Sequence, residues 1–295
     1  VNLLVLDAGH CLSLALVREA SRRSDTELTV EESLTLDPAW LAEVAPAALV
    51  IPPLSRPIIA APAEVTAHAE AVEHCLEVCR QADIPLVWCV SDQLYEDGFA
   101  EPIDEHVIPR PRDESLRRLV VTGDRIRAEH PRHLIVRLGP LFALEGSHAW
   151  LNELIDTLVD AGEVRGEVDV TCCPTSADAV AMALVGMLQQ QQCGAGAWGS
   201  YHLAGTEPVS VYTFVSVVRT QLATRLEGRG DRRELGPLRA LHHHHDHPLR
   251  RVLNCRRVLD VFGVHQKPWR LELSKMLDAW CRANAPECGE EEGAS

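Results

Sequence analysis

Short apolar runs alternate with amphipathic stretches along this chain, and that alternation most tightly limits what it can fold into. Val1–Leu6, Ala47–Ile51, Pro85–Val90 and His133–Arg137 are too short for helices and almost wholly apolar. Strands of a sheet covered on both faces have this character. A weaker strand is expected at Glu27–Val30. Helices are expected after Gly9, over Pro38–Val44, over Ala63–Gln81 and over Ser115–His130. In Ala63–Gln81, Val65, Ala69, Val72, Leu76 and Cys79 recur at helical spacing. Strand and helix in turn predict an α/β fold with a parallel sheet. The second half reads as helices over Trp150–Ala161, Ala177–Gln192, Ser210–Leu226 and Leu271–Asn284, with a short strand at Ser200–Leu203. Gly228–Pro237 is charged and is expected to be an exposed loop. Residues 286–295 are acidic and are expected to be a disordered tail.

The chain has 295 residues and is 46% hydrophobic, enough for one large or two ordinary domains. Its formal net charge of -15 opposes nucleic acid and anionic membranes, so neither is expected as a partner. Ten cysteines contain no C-x-x-C pair, and reduced thiols are the expected state. The opening apolar run meets Asp7 after six residues and cannot span a bilayer. These features lead us to expect a cytoplasmic protein.

Two residue patterns bear on chemistry. His242, His243, His244, His245 and His247, with Asp246 among them, could bind zinc or nickel. A contiguous run offers many imidazoles but little geometric selection, so the simpler expectation is a solvated loop. Thr175 and Asp178 fit a Thr-x-x-Asp capping pattern at a helix start.

Several segments, in order, resemble the extended short-chain dehydrogenase/reductases, in particular the dTDP-4-dehydrorhamnose reductase group. Pro85–Gly98 (PLVWCVSDQLYEDG) resembles that group's strand ending in Ser-Thr-Asp-Tyr-Val-Phe-Asp-Gly. Pro131–Phe142 resembles its next strand, and Cys172–Leu184 its Gly-x-Pro-Thr-x-x-x-Asp-Leu-Ala stretch. Gly199–Val215 and His247–Leu277 resemble its Gly-x-Tyr-His and Arg-Pro…Pro-Trp regions. The resemblance implies a Rossmann-type doubly wound parallel sheet over residues 1–145 and a smaller C-terminal α/β substrate lobe over 146–285. Segments near 170–192 would return to the first domain. Ligand would lie between the two, at the carboxyl ends of the strands.

The family's functional positions are altered here. Its Gly-x-x-Gly-x-x-Gly turn lets the backbone approach a pyrophosphate. The matching positions are Asp7, His10 and Ser13, with Gly9 one place off register. A carboxylate at ~4 Å from a phosphate charge, at an effective dielectric of ~20, opposes binding by about 4 kcal/mol. A protonated His10 would offset part of this. The expected cofactor is therefore none, or weakly bound NAD(P). The family's catalytic tyrosine acts as general acid, and its lysine lowers the tyrosine pKa. Their positions fall on Leu116 and Val120, and no Tyr-x-x-x-Lys pair can be written with Lys267 or Lys275. Ser91 is the retained hydroxyl of the triad, and Tyr95 is the one candidate for a displaced acid. Arg137, Cys172, Cys173 and Thr175 are candidates for the ligand cleft. Arg137 would pair within the fold or with a ligand phosphate, and the two cysteines are expected to be buried small hydrophobes. Trp269 is expected to anchor the C-terminal lobe.

The leading expectation is a catalytically degenerate sugar-nucleotide-reductase-like protein, acting as a binding or regulatory subunit for a small ligand or a protein partner. The alternative is an NAD(P)-dependent reductase of a sugar nucleotide that uses unconventional residues. A third is a structural partner whose cleft is empty.

Overall fold

The computed structural model describes residues 1–54, 61–242 and 248–284. The elements of the first half are β1 (Asn2–Leu6), α1 (Cys11–Ser21), β2 (Glu27–Glu31), α2 (Pro38–Val44), β3 (Ala48–Ile51), α3 (Pro62–Ala82), β4 (Leu86–Ser91), α4 (Glu114–Glu129) and β5 (His133–Leu138). There follow β6 (Leu141–Phe142), α5 (Trp150–Val159), β7 (Val164–Glu167), β8 (Val170–Cys172), β9 (Thr175–Ser176), α6 (Ala177–Gln192) and β10 (Gly199–Leu203). The chain continues through β11 (Val209–Ser210), α7 (Val211–Glu227), β12 (Leu238–Leu241), β13 (Leu249–Arg250), α8 (Arg256–Phe262) and α9 (Trp269–Ala283).

Six strands form one sheet in the order β10-β5-β4-β3-β1-β2, and every neighbouring pair is parallel. This is the parallel α/β sheet that the sequence pattern predicts, in the Rossmann-like arrangement that the resemblance implies. Successive side chains of a strand point to opposite faces. Leu3 and Val5 of β1 accordingly join one core with Ala48, Val50, Val87 and Cys89. Leu4 and Leu6 join the other, with Leu49, Ile51, Leu86 and Trp88. α1, α6 and α8 cover the first face, and α2, α3 and α4 the second. Strand order reverses at β1, which lies between β2 and β3. Such a switch point opens a crevice beyond the carboxyl ends of the strands.

The second half divides its elements. α6 packs on α1, and β10 extends the main sheet beside β5. α5, α7 and α9 build a separate core around Phe142, Phe214, Leu222, Trp269 and Leu273. Trp269 is 1% exposed there, as a packing anchor should be. β6 to β9, β11 to β13 and α8 are absent from the sequence-based expectation. All of these strands have two to four residues, too few for a period to register. The segment 228–237 is likewise not wholly an exposed loop. Leu235 and Gly236 are buried, because Arg219 donates to both of their carbonyls and the Gly236 amide donates to Leu158 O.

All cysteines among the described residues are free thiols, and only Cys193 is exposed. No helix among the described residues is long and apolar enough to cross a membrane. The tail residues 286–295 lie outside the described residues.

Candidate functional site

The turn after β1 sits at the crevice. Asp7 adopts a left-handed backbone (φ 57°), a conformation glycine takes without strain. The His10 amide closes the turn on Asp7 O at 3.0 Å. His10 then caps α1: its Nδ1 accepts from the Leu12 amide at 3.0 Å, and its Nε2 meets Pro53 O at 2.8 Å. A ring that accepts at Nδ1 and donates at Nε2 is neutral. Burial pushes its pKa down to about 3, with His148 lowering it further. The condition under which His10 would offset the Asp7 charge, a protonated ring, is thus disfavoured by burial. Ser13, fully buried, donates its hydroxyl to Leu6 O at 2.9 Å and ties α1 to β1. Gly9 is exposed. Burial raises the Asp7 carboxyl above its ordinary range, while the nearby His148 opposes that rise.

The segment before α5 folds back over this turn. The Cys11 amide donates to Ser147 O at 3.0 Å, and the Ser147 amide donates to Gly9 O at 2.8 Å. His148 stacks on His10 with ring centroids 5.1 Å apart. The first amides of α1 are thus bonded within the chain.

At the end of β4, the Ser91 hydroxyl caps a single 3₁₀ turn over Asp92–Leu94, accepting from the Gln93 amide at 3.3 Å. α4 presents Leu116 towards it, 2% exposed, inside the apolar cluster that includes Val90, Leu94 and Leu119. Val120 packs partly buried against the same cluster. A void of only about 10 Å³ remains between Leu54, Val65, His68, Ser91, Gln93 and Leu116. That is about the room of one water molecule.

Tyr95 turns to other partners. Its hydroxyl donates to Val107 O at 3.3 Å and lies 3.4 Å from His202 Nε2. Burial pushes its pKa up to about 12. Arg137, 4% exposed, donates to His202 Nε2 at 3.1 Å and holds its guanidinium 5.7 Å from the Tyr95 ring centroid. His202 Nδ1 meets Ile103 O at 3.0 Å, and burial lowers its pKa to about 3. Glu105 completes the group by accepting from the His202 amide. The structure therefore joins Tyr95 and Arg137 through His202 and Glu105, which the sequence did not single out. The Tyr-His pair of the Gly199–Val215 segment was the available signal for His202.

Cys172 and Cys173 are 1% and 2% exposed. Burial raises the Cys172 thiol well above its ordinary value and that of Cys173 to about 12, so both remain protonated and weakly nucleophilic. Thr175 does not cap a helix. Its hydroxyl donates to Cys173 O at 2.8 Å and accepts from the Gly205 amide. Ser176 caps α6 instead, and Asp178 pairs with Arg18 at 2.8 Å. The one-residue shift leaves the Thr175 hydroxyl to Cys173 O and the Gly205 amide, while Ser176 accepts from the Ala179 amide. Thr175 also lines a cavity of about 260 Å³ between α6, the end of β10 and α8, with Gln190, His265 and Lys267 at its wall.

Asp92 was missed by sequence reasoning, because nothing local signals its burial. It is fully buried, and burial pushes its pKa up to about 6 against the pull of Arg251 and a bond from Ser91. His242 is exposed; His243, His244, His245 and His247 lie outside the described residues. Among the described residues, no three His, Cys, Asp or Glu side chains are grouped to hold a metal.

No curated protein matches the chain in sequence. Its fold matches dTDP-4-dehydrorhamnose reductase from Clostridium acetobutylicum, with a TM-score of 0.75 at 14% identity, covering 95% of this chain and 99% of that one. The Bacillus anthracis dTDP-4-dehydrorhamnose reductase, solved in complex with NADP, gives a TM-score of 0.75 at 13% identity, covering 94% and 99%. The Thermus thermophilus UDP-glucose 4-epimerase, in complex with NAD, gives 0.70 at 13% identity, covering 97% and 100%. A family model described as the RmlD substrate binding domain matches residues 60–281. That match takes in most of the chain, from before α3 to the last turns of α9, and the chain belongs to the RmlD-like family of extended short-chain dehydrogenase/reductases.

Proposed function

We propose that this protein is a catalytically silent member of its family, acting as a binding or regulatory subunit that recognises a sugar nucleotide or a related small molecule. The observation that carries this reading is the apolar seal on Ser91. The resemblance aligns Leu116 with the family's proton donor and Val120 with its helper; Leu116 is buried, Val120 packs against the same apolar cluster, and the space beside Ser91 holds about 10 Å³. A leucine donates no proton, and a positioned general acid is worth ~100- to 10,000-fold in rate. Lys275 pairs with Glu272 on α9, and Lys267 precedes that helix, so neither belongs to α4.

The residues of the first turn do not fit the NAD(P) that the family implies. The amides of His10, Cys11 and Leu12 are bonded within the chain, the capping histidine is neutral, and Asp7 supplies a carboxylate. Dissociation constants for NADH and NADPH are expected above ~100 μM, a binding free energy weaker than about 5.5 kcal/mol. Calorimetry that gave low-micromolar values would remove this part of the reading.

The second reading is an active reductase of a sugar nucleotide, and Tyr95 is the side chain on which it depends. With its hydroxyl bonded to Val107 O and its pKa pushed up to about 12, Tyr95 is poorly placed as an acid. NADPH oxidation with a dTDP-4-keto-sugar is expected to stay at the buffer rate, while calorimetry with a dTDP-sugar shows binding. Turnover that disappears in Tyr95→Phe would establish the second reading. Absence of both turnover and dTDP-sugar binding would favour a purely structural partner.

A further inference from the structure

We propose that residues 144–149 form an autoinhibitory strap, which fills the anion position at the head of α1 with the chain's own Ser147 carbonyl. The proposal rests on the reading above and names what keeps a dinucleotide out.

A pyrophosphate held by a β1–α1 turn needs free amides at the start of the helix. Here the amides of His10, Cys11 and Leu12 have partners within the chain. The Cys11 amide donates to Ser147 O at 3.0 Å, the Leu12 amide to His10 Nδ1 at 3.0 Å, and the His10 amide to Asp7 O at 3.0 Å. Ser147 returns a bond through its own amide to Gly9 O at 2.8 Å, so the strap is held from both sides of one residue. A peptide carbonyl oxygen, partly negative, stands where a phosphate oxygen would accept. One amide cannot serve both.

The strap depends on Gly146. Its φ is +91°, and a Cβ there would lie 2.7 Å from Cys11 N and 2.9 Å from Gly9 O. No other residue allows this approach. His148 (φ 58°) then lays its ring on His10 at an interplanar angle of 26°. His10 is fixed in turn by Pro53 O, so the stack has a rigid floor. Lost glycines alone do not close the site. Asp7→Gly leaves the Cys11 amide bonded to Ser147, and it should by itself add little affinity for phosphate.

Gly146→Val tests the proposal, with inorganic pyrophosphate and NADPH as probes for calorimetry and amide exchange at Cys11 as a second readout. The valine should speed exchange of the Cys11 amide and tighten pyrophosphate binding about tenfold, the worth of one charge-assisted hydrogen bond. Adding Asp7→Gly should tighten it further, though Asp7→Gly without the valine does not. A folded Gly146→Val protein whose Cys11 amide exchanges faster, yet whose pyrophosphate affinity is unchanged, overturns the strap. Should the valine variant fail to fold, Gly146→Ala brings the same close approach to Cys11 N and Gly9 O with a single added carbon. It should shift both readouts in the same direction, and faster exchange without tighter binding would again be fatal. The reading of catalytic silence fails separately, if the unmodified protein oxidises NADPH with a dTDP-4-keto-sugar.

Discussion

Replacing Asp92 with asparagine should stabilise the protein in mild alkali and change little in acid. The carboxyl has a folded pKa of about 6 against an ordinary 3.8, because it is fully buried and desolvation outweighs the attraction of Arg251. Folding therefore favours the protonated form. The stability linked to that form is complete below the ordinary value and is lost as pH rises through about 6. The interval between the two values corresponds to a penalty of about 3 kcal/mol above it. Asparagine resembles the neutral acid and escapes that penalty. The groups facing Asp92 are the Ser91 hydroxyl, the buried Arg251 and the protonated thiols of Cys172 and Cys173. Denaturant titrations of both proteins at about pH 4 and about pH 8 measure the difference. Equal destabilisation by asparagine at both values would mean that the attraction of Arg251 dominates after all.

Trp269→Ala should cost about 3–5 kcal/mol, the usual range for removing a large buried aromatic. Trp269 is 1% exposed, and its ring centroid lies 5.2 Å from that of Phe214, which stacks on Trp150 at 4.3 Å. Its indole donates to Glu207 O at 3.0 Å. One side chain thus ties α9 to Phe214 of α7 and, through that ring, to Trp150 of α5. The urea midpoint should fall with an unchanged slope. Arg270, whose guanidinium lies 4.4 Å from the Trp269 ring centroid, is exposed, and Arg270→Ala should change stability by about 1 kcal/mol or less. A loss under about 1 kcal/mol for Trp269→Ala would show that the C-terminal core closes around the gap.

Much of the main sheet was legible because burial on both faces leaves local marks. Leu3 to Leu6 and Ala48 to Ile51 had to be apolar to serve two cores at once, so their strands showed as short runs. α2 and α6 begin and end where expected, at Pro38–Val44 and Ala177–Gln192. Asp37 caps the first and Ser176 the second. The small lobe was less legible, since β8 and β13 are held by pairing with each other and not by any period of their own.

The sequence by itself determined the α/β class, the family resemblance and the absence of a tyrosine–lysine pair, because each depends on residue type and local order. Only the tertiary structure decided the state of the site. His10 is neutral because Pro53, forty-three positions on, accepts from its ring within a buried pocket. The Cys11 amide is taken because Ser147 folds back onto it. Tyr95 is diverted because His202 and Val107 meet its hydroxyl. Hydrogen bonds and desolvation act between neighbours in space, and nothing in the order of residues along the chain shows which neighbours those will be.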